Sequence, residues 1–482
     1  MPFLLALALG VPTWSVPADA EETTVESLKD LQQLRQEVER RRQEMRRELR
    51  LLSQVLGKDA EAERLQTYEQ SLHEMTAEEL VAEMRILREE IEQLKETVSN
   101  SASAAGVRRY GVTGQVRHRF AWIDNDFSSG EGDLVSRLRS RVRISGAPHE
   151  KTRMAMEIQD SRLFGEAAGT LDGSGESIDF HQAYIELDDL FSQPISLKLG
   201  RQELSYGGER LVGAVNWHNV GRSFDAVKVH YGEVSTVDLF NAKLDETGVS
   251  DRNLFGIYGH VVHNKEHAVE PYLLYEHDKN SGAANRKRAT VGLRADGEHT
   301  SATGHGVGYE LEGALQAGEL GGSDVFAWMA SGSATYTGPS WTRPWLQVGA
   351  DLLSGDSAPG VGDVKAFDTL FATNHQFYGL MDLFVDIPAD TSQAGLIDFR
   401  LKGEMSASEK TRVALHLHHF ALAEGAVKNL GQEADVVLTY AYNDFCTIQW
   451  AGLIFVPGDA MKATRGGEDP GFKTYLQTVA SF

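Results

Sequence analysis

Four arginines in the segment SRLRSRVRIS, residues 136–145, are the side chains of this sequence best placed for chemistry. They occupy every second position and are Arg137, Arg139, Arg141 and Arg143. In a β-strand alternate side chains point to opposite faces, so these four guanidinium groups share one face, about 6.7 Å apart at a rise of about 3.3 Å per residue. A guanidinium group binds a carboxylate through two parallel hydrogen bonds. Such a row can therefore pass a polyanion from one carboxylate site to the next.

Further cations fall on the corresponding face of other alternating segments. They are Arg117, Arg119, Arg153, Arg288, Arg294, Arg400, Lys402 and Arg412. Two interpretations stay open. The cations pair with carboxylates on neighbouring strands, which we expect of about half of them, or they line a water-filled, electropositive conduit. The candidate carboxylates are Glu157, Glu186, Glu310, Glu312 and Asp398.

Other chemistry has little support in the sequence. His416 and His418 would face one side of a strand and His419 the other, and two ligands on one strand do not complete a zinc site. No Ser-His-Asp arrangement can be proposed from spacing. The single cysteine, Cys446, excludes an internal disulfide. We predict that the protein is not an enzyme and has no cofactor or metal. The net charge of -23 argues against nucleic acid as a partner.

The elements that position these residues begin after a helical N-terminal part. The apolar run FLLALALGV and the triplet Ala18-Asp19-Ala20 predict a signal peptide over residues 1–20. Residues 21–100 repeat apolar positions at 3-4 spacing and predict a periplasmic coiled coil, closed on itself or formed between chains. Residues 101–109 are a linker. The sequence after this region has no run of about 20 consecutive apolar residues, so it predicts no transmembrane helix.

From residue 110 onward the hydrophobic period changes from about 3.5 to 2. Alternating segments of roughly 10 residues are joined in turn by tight turns such as NKEH and by long Gly-, Asp- and Ser-rich loops. A soluble sandwich or propeller is disfavoured, because too many unshielded arginines lie on one face and no repeat of about 40 residues is visible. We predict an all-β transmembrane antiparallel β-barrel over 110–482.

Eighteen segments carry this pattern, and an outer-membrane barrel of about 16 to 20 strands is compatible with it. They are 110–123, 135–146, 153–161, 180–189, 195–203, 223–232, 234–242, 254–263, 268–277, 287–295, 304–317, 324–336, 342–353, 394–405, 411–422, 434–443, 445–456 and 471–482. The last one ends in Phe482, a terminal aromatic typical of outer-membrane barrels.

Two long motifs and the terminal strand resemble the alginate export family of outer-membrane porins. The motifs are LGRQELSYGGERLVGAVNWHNVGRSFDAVKV (199–229) and DVKAFDTLFATNHQFYGLMDLF (363–384). The resemblance implies an 18-stranded passive channel with a positively lined constriction for a uronate polymer. Within the motifs it implies pore or pore-mouth roles for Arg201, Arg210 and Arg222, and salt-bridge roles for Asp225 and Glu209. It also implies that segment 354–393, with Asn374, His375 and Tyr378, folds over or into the pore.

The sequence therefore favours an anion-preferring outer-membrane channel that exports an acidic, alginate-like polysaccharide. A general or small-anion uptake porin is the second interpretation. The third is a barrel anchored to the cell wall or to a periplasmic complex through its coiled coil. The expected partners are an acidic polysaccharide or other anions, outer-membrane lipid, and a periplasmic protein or a second copy of the coiled coil.

Overall fold

A computed structural model describes residues 109–127, 132–165, 178–246, 251–278 and 285–482. The predicted signal peptide, the coiled coil and most of the linker lie outside the described residues. The described residues form eighteen β-strands and one short α-helix, α1 (Asp459–Arg465). Within this part of the chain, no helix has the length and apolar character needed to cross a membrane.

The strands follow the predicted segments closely, since both bounds differ by only a few residues in each case. They are β1 (Arg109–Asp124), β2 (Asp133–His149), β3 (Thr152–Leu163), β4 (Asp179–Leu187), β5 (Ile195–Gln202), β6 (Phe224–Tyr231), β7 (Thr236–Asp245), β8 (Arg252–Val262), β9 (His267–Asp278), β10 (Arg286–Thr300), β11 (Gly306–Leu320), β12 (Ser323–Thr337), β13 (Trp345–Leu353), β14 (Leu396–Ser406), β15 (Thr411–Ala421), β16 (Asn429–Asn443), β17 (Cys446–Pro457) and β18 (Gly471–Ser481).

The sheet closes on itself. Each strand pairs with its neighbours in the sequence, and β1 pairs antiparallel with β18 from Gln115 opposite Ser481 to Asp124 opposite Phe472. Closure leaves no free sheet edge, as a strand-built membrane protein requires. The predicted closed antiparallel barrel of eighteen strands is confirmed.

Burial alternates along the strands in the sense opposite to that of a soluble protein. On β11, Leu311 and Leu315 are each 54% exposed, whereas Glu312 is 7% exposed and Gln316 is fully buried. Apolar residues therefore form the outer surface, which contacts lipid, and the inner face of β11 carries polar residues such as Glu312 and Gln316.

Two long connections fold into the barrel: residues 203–223 between β5 and β6, and residues 354–395 between β13 and β14. The second donates or accepts hydrogen bonds with Gln316 of β11, Glu433 of β16 and Lys473 of β18. Only a segment inside the closed sheet reaches strands so far apart around the wall. We call these two connections together the plug.

Backbone hydrogen bonds join the two plug segments. Val212 and Phe371 make a parallel β-bridge, with Gly213 N donating to Phe371 O at 2.8 Å and Phe371 N donating to Leu211 O at 2.8 Å. Thr373 N also donates to Glu209 O at 2.9 Å. These backbone hydrogen bonds satisfy polar groups that would otherwise be costly to bury.

The hydrophobic core of the molecule lies between the plug and the inner wall. Phe384 of the plug packs against Phe420 of β15, with ring centroids 4.7 Å apart. Tyr206 of the plug stacks on Tyr258 of β8 at 4.7 Å. Aromatic pairs of this kind contribute about 0.5–1.5 kcal/mol each beyond their buried area. The plug is therefore packed against the wall as a domain interior is.

Candidate functional site: the plugged lumen

The turn Asn216–His218 of the plug is held by arginines of β1 and β2. Arg117 donates to Asn216 O at 2.7 Å and to His218 O at 2.9 Å. Arg139 donates to Asn216 O at 3.1 Å and to the side-chain oxygen of Gln115 at 2.8 Å. All these acceptors are neutral oxygens, so the hydrogen bonds leave the positive charges uncompensated.

Arg119 holds the same turn in a different way. It donates to Trp217 O at 3.1 Å and to the side-chain oxygen of Gln477 on β18 at 2.7 Å. Its guanidinium carbon lies 3.3 Å from the centre of the Trp217 ring. Cations over an indole face are attracted by the negative potential of the ring, so Trp217 partly replaces a carboxylate as partner.

We call Arg117, Arg119, Arg137 and Arg139 the basic wall. None of the four forms an ion pair with a carboxylate among the residues that the structure describes. Arg117 and Arg139 are only 5% and 4% exposed. Burial together with Arg137, Arg117 and Arg119 lowers the pKa of the nearby His218 below its ordinary value, as a local positive potential requires.

The two arginines of β2 nearer its short-turn end, Arg141 and Arg143, do have carboxylate partners. Arg141 lies 3.6 Å from Glu157 and 3.8 Å from Glu203, and Arg143 lies 3.5 Å from Glu157. Arg141 also donates to the side chain of Asn216 at 2.9 Å. Arg137 and Arg139 therefore belong to the basic wall, whereas Arg141 and Arg143 share a carboxylate.

The opposite side of the lumen has dense ion pairing, and we call it the paired wall. Arg210 of the plug binds Asp351 and lies 3.8 Å from Glu310 and 3.7 Å from Glu312. Burial alone would lower the pKa of Arg210, but Asp351 and the glutamates hold it above its ordinary value. The guanidinium group therefore stays charged inside the barrel.

Three further arginines complete the paired wall. Arg294 contacts Glu270 at 3.0 Å and Glu310 at 2.8 Å. Arg400 lies 2.7 Å from Asp351. Arg288 binds Glu276 and lies 2.8 Å from Asp368 of the plug. Each cation here has at least one carboxylate, so this wall carries little net positive charge.

Three further predicted cations lie near the barrel ends or on its outside. Arg153 makes a two-pronged contact with Asp188 at 2.7 Å, and Arg412 contacts Glu404 at 3.2 Å, both beside short turns. Arg201 pairs with Asp225 at 3.1 Å on the strand face that also carries the exposed Leu199. Arg201 therefore lies on the outer face, which differs from the pore position implied by the resemblance, because β5 places odd-numbered residues outward.

Two predicted cations bind backbone oxygens of the plug. Arg222 donates from one terminal nitrogen, Nη1, to Phe371 O, to Ala372 O at 3.3 Å and to Gly213 O at 3.4 Å. Lys402 of β14 donates to Gln376 O at 2.8 Å. Both cations fix the plug to itself or to the wall, and neither makes an ion pair within the described part of the chain.

The predicted plug residues lie in the interior. His375 stacks on Trp217 at 4.0 Å and binds Asp382, which also accepts from Lys473 at 2.6 Å. Asn374 donates to Val385 O at 3.0 Å, and Tyr378 is buried. The Glu209 carboxylate accepts hydrogen bonds from the hydroxyl groups of Ser205, at 2.6 Å, and Thr373. Glu209 thus bonds to hydroxyl groups rather than to the cation that the resemblance suggested.

The comparison with protein families decides what kind of barrel this is. A family model described as alginate export matches residues 108–427, more than half of the chain. The chain belongs to the alginate export family. It forms an outer-membrane barrel of that family, as the sequence motifs predicted.

Solved structures give this exporter-family chain the same fold. OprD from Pseudomonas aeruginosa superimposes with a TM-score of 0.55 at 10% identity, over 77% of this chain and 94% of OprD. OccK8 (OprE) of the same organism gives 0.53 at 12%, over 77% and 98%. OpdK of that organism, in a structure with vanillate, gives 0.51 at 9%, over 77% and 98%. No curated protein matches the chain.

Several residues of this family member contact the basic wall but were not found from the sequence. Trp217, Asn216 and His218 lie in a connection with no periodicity to reveal their orientation. Arg286 lies away from the basic wall and was also not predicted. It has the same strand parity as Arg288, so the alternation rule could have found it. The described residues contain no group of three or more His, Cys, Asp and Glu side chains arranged to hold a metal ion.

Proposed function

We propose that this outer-membrane barrel is an anion-preferring channel that exports an acidic polysaccharide. The observation that carries the proposal is the basic wall, where four arginines have no carboxylate partner among the described residues while the opposite wall is densely paired. A buried, uncompensated positive surface raises the local concentration of anions and opposes the entry of cations.

The contacts of the basic wall suggest how a polyanion would pass. Arg117 and Arg139 bind the carbonyls of Asn216 and His218, which are neutral acceptors. A carboxylate binds a guanidinium group more strongly than a carbonyl does, because both partners are charged. An acidic chain that enters the lumen would therefore compete with the turn Asn216–His218 for the same guanidinium groups and favour release of the plug.

The second candidate, a small-anion uptake porin, is supported by the plug itself. Its two segments pack against the inner wall and occupy part of the lumen, which favours a small solute over an extended polymer. The likeness of the fold to OpdK, whose structure contains vanillate, a carboxylate, supports the same alternative. The third interpretation, a tethered barrel, depends on residues 21–100 and stays a prediction.

Planar-bilayer recording of the purified protein tests these proposals. Under a KCl gradient, the reversal potential should show that chloride permeates better than potassium. Oligomers of alginate should block the current, and neutral oligosaccharides of the same length should not. A cation-selective current, or no conductance under any condition, would contradict the channel proposal. Equal block by small carboxylates and by alginate oligomers would favour uptake over export.

A further inference from the structure

A groove of 390 Å³ lies on the outer surface of the barrel, across strands β6 to β9. Two cross-strand rows of outward side chains line most of it. One row is Leu239, Ile257 and Leu273, and the other is Asn241, Phe255 and Tyr275. Apart from Asn241, these side chains are aliphatic or aromatic. Because the outer surface of a membrane barrel contacts lipid, the groove is open to a hydrocarbon chain.

Asn241 is a polar residue within this apolar lining. It is exposed on the outer face of β7, and its carboxamide has no hydrogen-bond partner among the residues that the structure describes. A polar group that faces hydrocarbon without a partner is costly, so a ligand with a polar group at this depth is favoured. Phe255 and Tyr275 lie in the same row, with ring centres 6.5 Å apart. Aromatic side chains on the outside of membrane barrels mark the boundary between headgroups and acyl chains, so Asn241 lies at that boundary.

A row of charged residues borders the groove on its outward side. Lys243 follows Asn241 by two residues on the same face of β7, a distance of about 6.7 Å. Asp225 of β6 is opposite Lys243, and Arg201 of β5 is opposite Asp225. Strand β5 ends one residue after Arg201, where the first plug connection begins. Because long connections of outer-membrane barrels face outward from the cell, this row lies at the outward edge of the membrane.

The two cations of this row have more donors than their carboxylates use in the described part of the chain. Arg201 donates from Nη1 to Asp225 at 3.1 Å, and its Nε has no partner there. Lys243 contacts Asp251 at 2.6 Å and Glu246 at 3.5 Å, both on the connection to β8. An ammonium group has three donors, and these contacts use two of them. Arginine and lysine bind phosphate oxygens through such donors.

The order of the side chains along β7 selects the ligand. From the outward edge toward the middle of the membrane, Lys243, Asn241 and Leu239 share one face at intervals of about 6.7 Å. In a membrane lipid, a phosphate, a polar acyl linkage and a hydrocarbon chain follow one another in this same order. A free phosphate would use the cations alone. Asp225, whose side chain is 60% exposed, repels phosphate but accepts hydrogen bonds from sugar hydroxyls, which favours a glycolipid.

We propose that this outer groove binds a phosphorylated glycolipid of the outer leaflet. The phosphate lies on Arg201 and Lys243, and the amide or ester linkage of the acyl chain lies on Asn241. The chain itself follows Leu239 and Ile257. Because the site is on the outside of the barrel, it is independent of conduction through the lumen and of the solute that is exported.

Native mass spectrometry of the full chain, purified in detergent and stripped of lipid, tests the proposal. The probes are a bisphosphorylated, acylated glucosamine disaccharide and phosphatidylglycerol. We expect the glycolipid to bind more tightly than phosphatidylglycerol. Arg201→Gln with Lys243→Gln should weaken glycolipid binding about tenfold or more, because two cations near the membrane surface are lost. Arg153→Gln with Arg412→Gln removes two exposed cations from their carboxylates at the short-turn end and should leave binding unchanged.

Asn241→Leu separates a specific site from ordinary contact with the bilayer. It keeps every charge and makes the outer face more apolar, so a surface that attracts lipid only by its apolar character would bind the glycolipid as well or better. The proposed site should instead bind it about threefold or more weakly, because the acyl linkage loses a hydrogen bond. Unchanged binding in Asn241→Leu, equal losses in the two double variants, or equally tight binding of phosphatidylglycerol would overturn the proposal.

Discussion

The guanidinium carbon of Arg119 lies 3.3 Å from the centre of the Trp217 ring, so one indole joins β1 to the first plug segment. The same indole stacks on His375 of the second plug segment at 4.0 Å and donates to Asp382 at 3.1 Å. Lys473 of β18 completes the connection through Asp382. Trp217 is therefore one residue that links the wall to both parts of the plug.

Trp217→Ala should loosen the plug. It removes a cation–π contact of about 0.5–2 kcal/mol and a ring stack of about 0.5–1.5 kcal/mol. The single-channel conductance, or the fraction of time spent open, should rise several-fold in planar bilayers. Trp341→Ala, at a position 71% exposed between β12 and β13, is the control and should behave as the unaltered protein. Identical conductance in both variants would contradict the anchoring role.

The double variant Arg117→Gln and Arg139→Gln should lower the chloride preference of the channel. Both arginines lack a carboxylate partner among the described residues, so their removal reduces the net positive charge of the lumen. The measurement is the reversal potential under a salt gradient, at low ionic strength where screening is weak. Arg153→Gln with Arg412→Gln, which breaks the pairs with Asp188 and Glu404, is the control that removes the same number of charges.

An unchanged reversal potential in that double variant, with a lower thermal unfolding temperature, would be a different result. It would mean that the two arginines only anchor the turn Asn216–His218. The anion preference would then have to come from another part of the lumen.

Arg210→Met should be among the most destabilising single substitutions in the barrel. It leaves Asp351 and Glu312, both buried, without their principal cation. Removal of one partner of a buried ion pair costs about 3–5 kcal/mol. Arg201→Met breaks the exposed pair with Asp225 and should cost less than about 1 kcal/mol. Urea unfolding followed by tryptophan fluorescence should show this difference, and equal midpoints would contradict it.

Lower pH should favour release of the plug. Burial lowers the pKa of His375 below its ordinary value, although Asp382 opposes the shift, and burial with nearby arginines does the same for His218. Below the ordinary histidine pKa, the released and hydrated side chains bind more protons than the anchored ones. Stability of the anchored plug therefore falls as pH falls through about 6.5.

Asp382 acts in a different pH window. Burial alone would raise its pKa, but His375 and Lys473 bring it well below the ordinary carboxyl value. Its contribution to the stability of the anchored plug is present above that ordinary value, about 4, and is lost only as pH falls further.

The fraction of time that the channel is open should rise between pH 7 and pH 5 in bilayers, because the two histidines bind protons in this range. His375→Gln with His218→Gln should abolish this rise, and His299→Gln, an exposed control beside Glu266, should keep it.

The strands could be predicted because a membrane barrel imposes a local rule. Leu311 and Glu312 must face lipid and lumen in turn, and this period of two is visible residue by residue without knowledge of any partner. The rule also gave the correct strand number and closure. It did not identify the partners of the cations, because Arg139 bonds to Asn216 and Arg210 to Asp351 across 77 and 141 positions of the chain.

The position of Arg201 shows a limit of the family resemblance and not of the alternation rule. The motif around it resembles the family, but a motif does not fix which face of β5 an odd-numbered position occupies. Alternation along β5 decides it, because Arg201 shares a face with the exposed Leu199, and Asp225 of β6 lies opposite Arg201 on that face.

By itself, then, the sequence determined an eighteen-stranded outer-membrane barrel and the family to which it belongs, since hydrophobic period and motif are properties of contiguous residues. Only the tertiary structure decided that residues 203–223 join the connection 354–395 inside the barrel and that one wall is paired while the other is not. These features depend on contacts between a plug and strands distant in sequence. Such contacts follow from the packing of the closed barrel and leave no local pattern in the chain.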